Sequence, residues 1–243
     1  MNKRITMLYK YCKWDENAKQ NIDNNYIYPC KSNSENDPFE NSPCFDKAKW
    51  IMQIANVQHL PIRIVKANID DYFDDFLEHV RSHTFIISLT SSKANPLMWS
   101  HYSDGHKGIC IGYDVSKIVK ESNHLNKVVY SNERVEWPCV MFGAKKKDWE
   151  KYGLEQIVFR TAYTKSKDWA YEKEYRIVST DYGNENDFVE KRAMVKEIYI
   201  GCEVPDKKVK DIIAFVKKLN RNIKIFHMQK DSKLFSLIPK PVQ

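Results

Sequence analysis

Short apolar runs rich in β-branched and aromatic residues recur along this 243-residue chain and alternate with amphipathic segments. The clearest runs are TFIISLTSS at 84–92 and GICIGYDV at 108–115, whose length and composition are typical of strands buried in a sheet. Residues 46–82 and 205–222 instead repeat apolar positions every three to four residues, which predicts helices that cover the sheet. The sequence therefore predicts an α+β fold with a central, mostly antiparallel or mixed sheet and flanking helices.

Weaker patterns complete the predicted order of elements. Further strands are expected in the segments 5–14, 26–30, 127–131, 169–180, 195–204 and 223–230. Residues 95–103 predict a short helix that begins at an Asn-Pro corner, 149–166 have helical periodicity, and 15–25 predict a loop or a weak helix. Because no repeat and no long linker divides the chain, we expect residues 1–243 to form one domain.

Several classes of protein are disfavoured by composition. No run approaches the roughly eighteen consecutive apolar residues that span a bilayer, and the basic start lacks the apolar stretch of a secretion signal, so we expect a cytoplasmic protein with no membrane contact. The six cysteines include no CxxC pair, which predicts reduced thiols rather than a zinc knuckle or a disulfide framework. No GxSxG, GxxxxGKS or GxGxxG motif is present, so the usual nucleophile elbow and phosphate loops are absent from the sequence.

The stretch NPLMWSHYSDGHKGICIGYD at 95–114 concentrates rings and titratable groups between two predicted core strands. One interpretation is a wall of a binding cleft, in which Trp99 or Tyr102 stacks on a base and His101 donates a hydrogen bond or supports nearby carboxylates. The alternative is ordinary packing, with His101 in the core and His106 in a turn with Asp104 and Gly105. A metal site from these histidines and Asp104 fits no common ligand spacing, so no metal is expected.

A pair of carboxylates stands out in WAYEKEYRIV at 169–178. If this segment is a strand, Glu172, Glu174 and Arg176 share one face, because side chains two residues apart point the same way. Two adjacent carboxylates resist simultaneous ionisation, and Arg176 can relieve this by pairing with one of them. Such a face suits a site that stabilises a developing cation and deprotonates an attacking group, while an exposed strand with cross-strand ion pairs is an equally good interpretation.

Asparagine, aspartate, serine and proline dominate the segment 31–43. Asp37 precedes Pro38, which favours extended backbone there and a turn that displays the side chains of Asn36 and Asp37. These two side chains are candidates for binding a ligand, and a plain surface turn is the alternative.

Five segments resemble a bacterial family catalogued as domain of unknown function 2971. They are LYKY at 8–11, NDPFE at 36–40, MWSHYSDGHKGICIGYD at 98–114, WAYEKEYRIV at 169–178 and KEIYIGC at 196–202. The resemblance implies a bacterial protein, often of accessory or defence-associated character, and names no reaction.

A second likeness is to ADP-ribosyltransferases, in the order of LYKY, a later SLTSS strand and a C-terminal Glu-x-Glu. It implies a split α+β sheet that clamps NAD in a central cleft. By this likeness Glu174 stabilises the oxocarbenium-like transition state, Glu172 positions the acceptor, and Lys10 stands where that fold usually carries His or Arg. Lysine offers a point charge in place of a planar donor. The residues then expected to bind the nucleotide are Tyr9, Lys10, Asn36, Asp37, Trp99, Tyr102, His106 and Arg176.

Two functions from different classes follow. The first is an NAD- or nucleotide-utilising transferase with Glu174, Glu172 and His101 as catalytic residues and a protein or nucleic acid as acceptor. The second is a non-catalytic module that binds nucleic acid or a nucleotide, suggested by the formal net charge of +7 and by the aromatic residues. Cys110 lies among apolar neighbours and is expected to be buried filler rather than a nucleophile.

Overall fold

The computed structural model describes residues 5–31, 37–116, 118, 125–141, 145, 147, 148, 151, 153–180, 191–219 and 221–242. The strands, in chain order, are β1 (Met7–Cys12), β2 (Tyr26–Ile27), β3 (Cys30–Lys31), β4 (Cys44–Phe45), β5 (Thr84–Thr90), β6 (Ile109–Asp114), β7 (Leu125–Lys127), β8 (Val129–Ser131), β9 (Glu136–Trp137), β10 (Thr164–Ser166), β11 (Glu174–Thr180), β12 (Lys191–Arg192), β13 (Met194–Ile200), β14 (Lys224–Lys230) and β15 (Leu237–Pro241). The helices are α1 (Glu16–Asn24), α2 (Lys47–Gln58), α3 (Ile62–Ala67), α4 (Ile69–Ser82), α5 (Pro96–Tyr102), α6 (Leu154–Ala162) and α7 (Asp206–Lys218), with 3-10 turns at Cys139–Met141 and Lys167–Glu172.

Within the described residues, the main sheet is mixed and has nine strands, in the order β15-β14-β13-β6-β1-β5-β11-β7, with β3 paired to β5. Neighbouring strands run antiparallel except β13 and β14, which are parallel and connected through α7. The predicted α+β class, with a large mixed sheet flanked by helices, is confirmed. In the described part of the chain, no helix is long and apolar enough to cross a membrane.

Alternation along the strands divides the core into layers. Leu8 and Ile111 pack on one face of the sheet with Ile22 of α1 and Ile212 of α7. Tyr9, Tyr11, Cys110 and Tyr199 point to the other face, where Trp99 and Met98 of α5 cover them. A separate apolar cluster joins α2, α4 and α6 through large side chains that include Trp50, Phe73 and Val158. The ring-rich face under α5 is the one that borders the candidate site.

In the main sheet, β1 and β5 are paired over a much shorter length than β1 and β6. β1 pairs with β6 along its whole length, from Met7 opposite Asp114 to Cys12 opposite Ile109. The register between β1 and β5 consists of Tyr9 opposite Thr90 alone. Beyond this pair the two strands diverge, so the backbone itself opens a cleft between the two halves of the sheet.

Local differences from the sequence predictions have clear causes. The predicted strand 169–180 begins only at Glu174, because Ser166 caps a 3-10 turn by accepting a hydrogen bond from the Asp168 amide and Lys173 ends that turn with a φ of 49°. Residues 16–24 form a full helix, capped by the side chain of Asp15, which accepts from the Ala18 amide. The strand β15 was not predicted, since it contains Pro239 and Pro241.

Candidate active site

A cavity of about 140 Å³ lies where β1 and β5 diverge. Its polar lining includes Tyr9, Lys10, Tyr102, Lys165, Glu172 and Glu174, and apolar side chains such as Ile86 and Met98 complete the walls. Pockets for whole drug-sized ligands measure roughly 300–1,000 Å³. The cavity therefore holds a group about the size of one ring, and the rest of a larger ligand must lie outside it.

Glu174 and Arg176 form the rigid part of the site. They lie two residues apart on β11 and therefore point to the same face of the strand. The Arg176 guanidinium donates through Nε to Glu174 Oε1 at 2.8 Å and through Nη2 to Oε2 at 3.0 Å. Its Nη1 donates to the carbonyl of Ala162, and the side chain is fully buried. This bidentate pairing fixes the orientation of the Glu174 carboxylate.

Glu172 reaches the same place by a different route from the one predicted. It belongs to the 3-10 turn rather than to the strand, yet its carboxylate turns back to the cleft. Oε1 accepts a hydrogen bond from the hydroxyl of Tyr102 at 2.5 Å, and Oε2 accepts one from Lys165 Nζ at 2.6 Å. The predicted neighbourhood of Glu172 and Glu174 is present, but a shared strand face does not produce it.

Two further charged residues that the sequence analysis did not single out complete the site. Lys165 of β10 places its ammonium 2.6 Å from Glu172, 3.2 Å from Glu40 and 3.4 Å from Glu174. Glu40 also lies 2.6 Å from the guanidinium of Arg176. We call Glu40, Lys165, Glu172, Glu174 and Arg176 the buried charge network; its side chains are between 1% and 6% exposed.

The two cleft carboxyls have pKa values shifted in opposite directions. Burial by itself opposes ionisation of Glu174, but the charges of Arg176 and Lys165 lower the pKa of this carboxyl to about 2. For Glu172 burial prevails over the attraction of Lys165 and raises the pKa above its ordinary value. Glu174 is therefore ionised at neutral pH, whereas Glu172 more readily keeps a proton. Neighbouring carboxyls separated in this way can take different roles in one reaction.

Trp99 does not face the cleft, so the predicted stacking role for its ring is wrong. The side chain is completely buried, its Nε1 donates to the carbonyl of Lys93 at 3.1 Å, and its ring packs edge-on against Tyr11. A large apolar ring with one donor is well suited to this position in the core. Tyr102 does line the cleft, and its hydroxyl is engaged by Glu172.

Neither histidine of the ring-rich stretch lines this cavity. His101 is exposed on α5, with its ring 6.4 Å from those of Trp169 and Tyr171, so it is not a core histidine either. His106 lies in the turn after α5 with a φ of 67°, and its Nδ1 is 3.8 Å from the Cys202 sulfur. The imidazole of His106 therefore contacts Cys202 and lies outside the cleft.

The loop residues expected to display polar groups behave differently. Asp37 is buried, and its Oδ1 accepts a hydrogen bond from the Phe39 amide at 2.9 Å, so it stabilises the loop, and it does not line the cleft. Asn36 lies outside the described residues. Lys10 and Tyr9 line the cleft, with Lys10 Nζ 3.4 Å from the Ser88 carbonyl and the Tyr9 hydroxyl 3.3 Å from Glu197.

Cysteine and metal chemistry find little support in the described residues. Cys110 is fully buried, and burial raises the pKa of its thiol well above the ordinary value. Among the residues that the structure describes, no group of three or more His, Cys, Asp or Glu side chains is arranged to hold a metal ion.

Fold and cleft together define an α+β protein with a buried carboxylate pair beside the cleft between β1 and β5. Over residues 98–177 the chain is similar to the family DUF2971, described as a protein of unknown function. The matched segment runs from α5 into β11 and includes Tyr102, Lys165, Glu172 and Glu174. No curated protein and no solved structure is significantly similar to the chain.

Proposed function

We propose that this protein transfers a glycosyl group from a nucleotide such as NAD, in the manner of an ADP-ribosyltransferase. The observation that carries the proposal is the Glu174 carboxylate on the wall of a small cleft, held by Arg176 and joined through Lys165 to Glu172. The order of the sheet supports it further, because LYKY, SLTSS and Glu174 lie on the neighbouring strands β1, β5 and β11. An accessory or defence role in bacteria stays a prediction of the family resemblance.

The chemistry of such a transfer matches the charges in the cleft. When the bond between the ribose C1 and the nicotinamide nitrogen breaks, the bonding electron pair leaves with nicotinamide and a positive charge develops on the sugar. A carboxylate held ionised in a site of low dielectric stabilises that charge far more than it would in water. Arg176 keeps Glu174 both ionised and oriented, so the charge requires no rearrangement during the reaction.

Glu172 and Tyr102 are suited to the second half of the transfer. The acceptor must lose a proton as its nucleophilic atom bonds to the sugar carbon. A carboxylate whose pKa is raised toward neutrality is a better general base than an ordinary surface glutamate. The hydroxyl of Tyr102 holds one oxygen of Glu172 at 2.5 Å and thereby fixes the direction of the other lone pairs. We assign Glu172 the role of base toward a protein or nucleic-acid acceptor.

The cavity size limits how the donor binds. About 140 Å³ suits the nicotinamide ring, against apolar side chains such as Ile86 and Met98, but it does not hold a complete dinucleotide. The phosphates would then lie along the opening between β1 and β5, near the ammonium of Lys10. Incubating the purified protein with NAD and measuring released nicotinamide tests the proposal directly; absence of release and of ADP-ribosylated product, with a range of protein and nucleic-acid acceptors, contradicts it.

Replacing Lys10 by alanine is expected to raise the KM for NAD by about tenfold or more, because a charge-assisted contact to a phosphate oxygen is lost. The value of kcat should change little, since this contact is the same in the ground state and the transition state. Initial rates over a range of NAD concentrations measure both constants. Lys10→Arg retains the charge and should recover most of the affinity; a KM unchanged in Lys10→Ala would remove Lys10 from the donor site.

The alternative, a non-catalytic module that binds nucleic acid, rests on the net charge of +7. Rings suggested for base stacking give it less support, because Trp99 is buried and the Tyr102 hydroxyl is engaged by Glu172. We expect the KM for NAD to change by less than about threefold between roughly 50 and 200 mM salt. Binding through many phosphate contacts would instead weaken by about 1,000-fold over that range, so a fluorescence titration with labelled RNA and DNA distinguishes the two functions.

A further inference from the structure

The loop from Asp37 to Asn41 is held rigidly by its own hydrogen bonds and by α4. The Asp37 side chain accepts from the Phe39 amide, and the Asp37 carbonyl accepts from the Glu40 amide, each at 2.9 Å. Arg81 of α4 donates to the carbonyls of Glu40 at 3.1 Å and of Asn41 at 3.3 Å. Asn41 adopts a φ of 46°, a conformation that asparagine tolerates better than most residues. The loop therefore presents the Glu40 side chain in a fixed direction.

The Glu40 side chain extends behind the cleft, toward Arg176 and Lys165. One Glu40 oxygen lies 2.6 Å from Arg176 Nη1 and the other lies 3.2 Å from Lys165 Nζ. Both contacts are ion pairs, and the side chain is only 2% exposed. Glu40 does not line the cavity, so its contact with the site runs through the two cations. Each of these cations also contacts a cleft carboxylate.

The buried charge network contains three carboxylates and two cations, which leaves one formal negative charge in excess. Burying an uncompensated charge is strongly unfavourable, and a buried carboxyl avoids it by keeping its proton. Glu174 has the bidentate partner Arg176, whereas Glu172 shares Lys165 with Glu40 and Glu174. Burial therefore raises the pKa of Glu172 above its ordinary value, despite the ion pair with Lys165.

We propose that Glu40 is a positioning residue of the carboxylate pair: it fixes Arg176 and Lys165 so that Glu174 stays oriented and ionised while Glu172 is left able to exchange a proton. This role rests on the proposed glycosyl transfer, in which the two carboxyls act differently. Glu40 touches neither the cleft nor a substrate in it, and it acts entirely through the two cations.

The negative charge of Glu40 determines in which direction the pKa of Glu172 is expected to change when Glu40 is replaced. Without the negative charge of Glu40, Lys165 is shared by two carboxylates in place of three, and ionised Glu172 is better stabilised. The pKa of Glu172 must then fall. The titratable and charged groups around the carboxylate pair include Lys165 on β10, Arg176 on β11, Tyr102 on α5, Tyr130 on β8, Tyr171 on the 3-10 turn and Glu40 on its loop.

Carbon-13 NMR of the ligand-free full chain, labelled at the glutamate carboxyl carbons, measures this pKa directly. The Glu172 signal is assigned as the one missing from Glu172→Gln, and the pH is varied from about 4 to 9, which brackets a raised glutamate pKa. In Glu40→Gln we expect the titration midpoint of Glu172 to fall by about one pH unit. Glu40→Asp, whose shorter side chain holds Lys165 less closely, should shift it in the same direction but less.

Glu133→Gln is the matched control, because Glu133 is exposed and lies outside the network. In this variant the titration midpoint of Glu172 should equal that of the wild type. If Glu40→Gln does not fold, Glu40→Asp decides the question by the same criterion. A Glu172 midpoint that does not move in a folded Glu40 variant overturns the proposal, as a merely structural role for Glu40 would leave it unchanged.

Turnover of NAD in the same variants separates this inference from the proposed function. A shifted Glu172 midpoint in a protein that never consumes NAD supports the positioning role and rejects the transferase. When the wild type does consume NAD, Glu40→Gln should shift the acidic limb of the kcat profile to lower pH and leave KM almost unchanged. An unshifted midpoint together with normal NAD turnover rejects the positioning role alone.

Discussion

Glu174→Gln is expected to reduce the rate of NAD cleavage by about 100- to 1,000-fold while leaving the KM nearly unchanged. Glutamine has the same shape as glutamate and still accepts a hydrogen bond from Arg176, but it carries no charge to stabilise the developing cation. Since this stabilisation exists only in the transition state, the effect belongs to kcat. Release of nicotinamide, measured by chromatography with saturating NAD, gives the comparison.

The control for that experiment is Glu133→Gln, a charge removal at an exposed position away from the cleft. It should retain full turnover. Circular dichroism of both variants verifies that each is folded before rates are compared. A Glu174→Gln protein that is folded and turns over NAD as fast as the wild type would show that the reaction does not depend on this carboxylate.

Arg176→Met is expected to lower the free energy of unfolding by about 3–5 kcal/mol. Methionine approximates the length of the arginine stem but removes one of the two cations that Glu174 and Glu40 share, in a region that is only 1% to 6% exposed. Urea unfolding followed by tryptophan fluorescence measures the change. Lys19→Met, which removes one cation from an exposed pair with Glu16, should cost less than about 0.5 kcal/mol by the same method.

The loss in Arg176→Met should also depend on pH. In the wild type the pKa of Glu174 is about 2, below the value of roughly 4.3 expected in an unfolded chain. A carboxyl with a lowered pKa contributes stability above the unfolded value, and this contribution disappears as pH falls toward the folded value. The difference between variant and wild type should therefore be largest near neutral pH and shrink between about pH 4 and pH 2. A difference under about 1 kcal/mol at pH 7 would mean that Arg176 does not hold the two carboxylates in solution.

The elements that the sequence predicted best are those set by local pattern. The β-branched runs of β5 and β6 and the amphipathic repeat of α7 specify their conformations within a few residues, because alternation and helical spacing directly reflect which side is buried. The strand predicted at 169–180 failed in its first half for a reason that is also local. Ser166 offers a cap to the following amides, and this favours a turn over continued extension.

The candidate site was predictable only in part, because its long-range partners leave no local signal. Glu174 and Arg176 could be paired from their spacing on one strand. Glu40 and Lys165 come from a loop and from a three-residue strand, where charged side chains are ordinarily solvated. Their burial depends on distant segments meeting around the cleft. Trp99 shows the opposite error, since its ring was assigned to a ligand but fills the core.

β15 is an edge strand of the main sheet, and its prolines affect which other β-strands can pair with it. The Val242 amide donates to the Ile225 carbonyl, so alternation turns the nitrogens of Pro239 and Pro241 away from β14 and toward solvent. Proline has no amide hydrogen, and an incoming β-segment at this rim would meet two missing donors. The β15 edge of the sheet is consequently a poor template for fibril growth or for binding a peptide by strand addition.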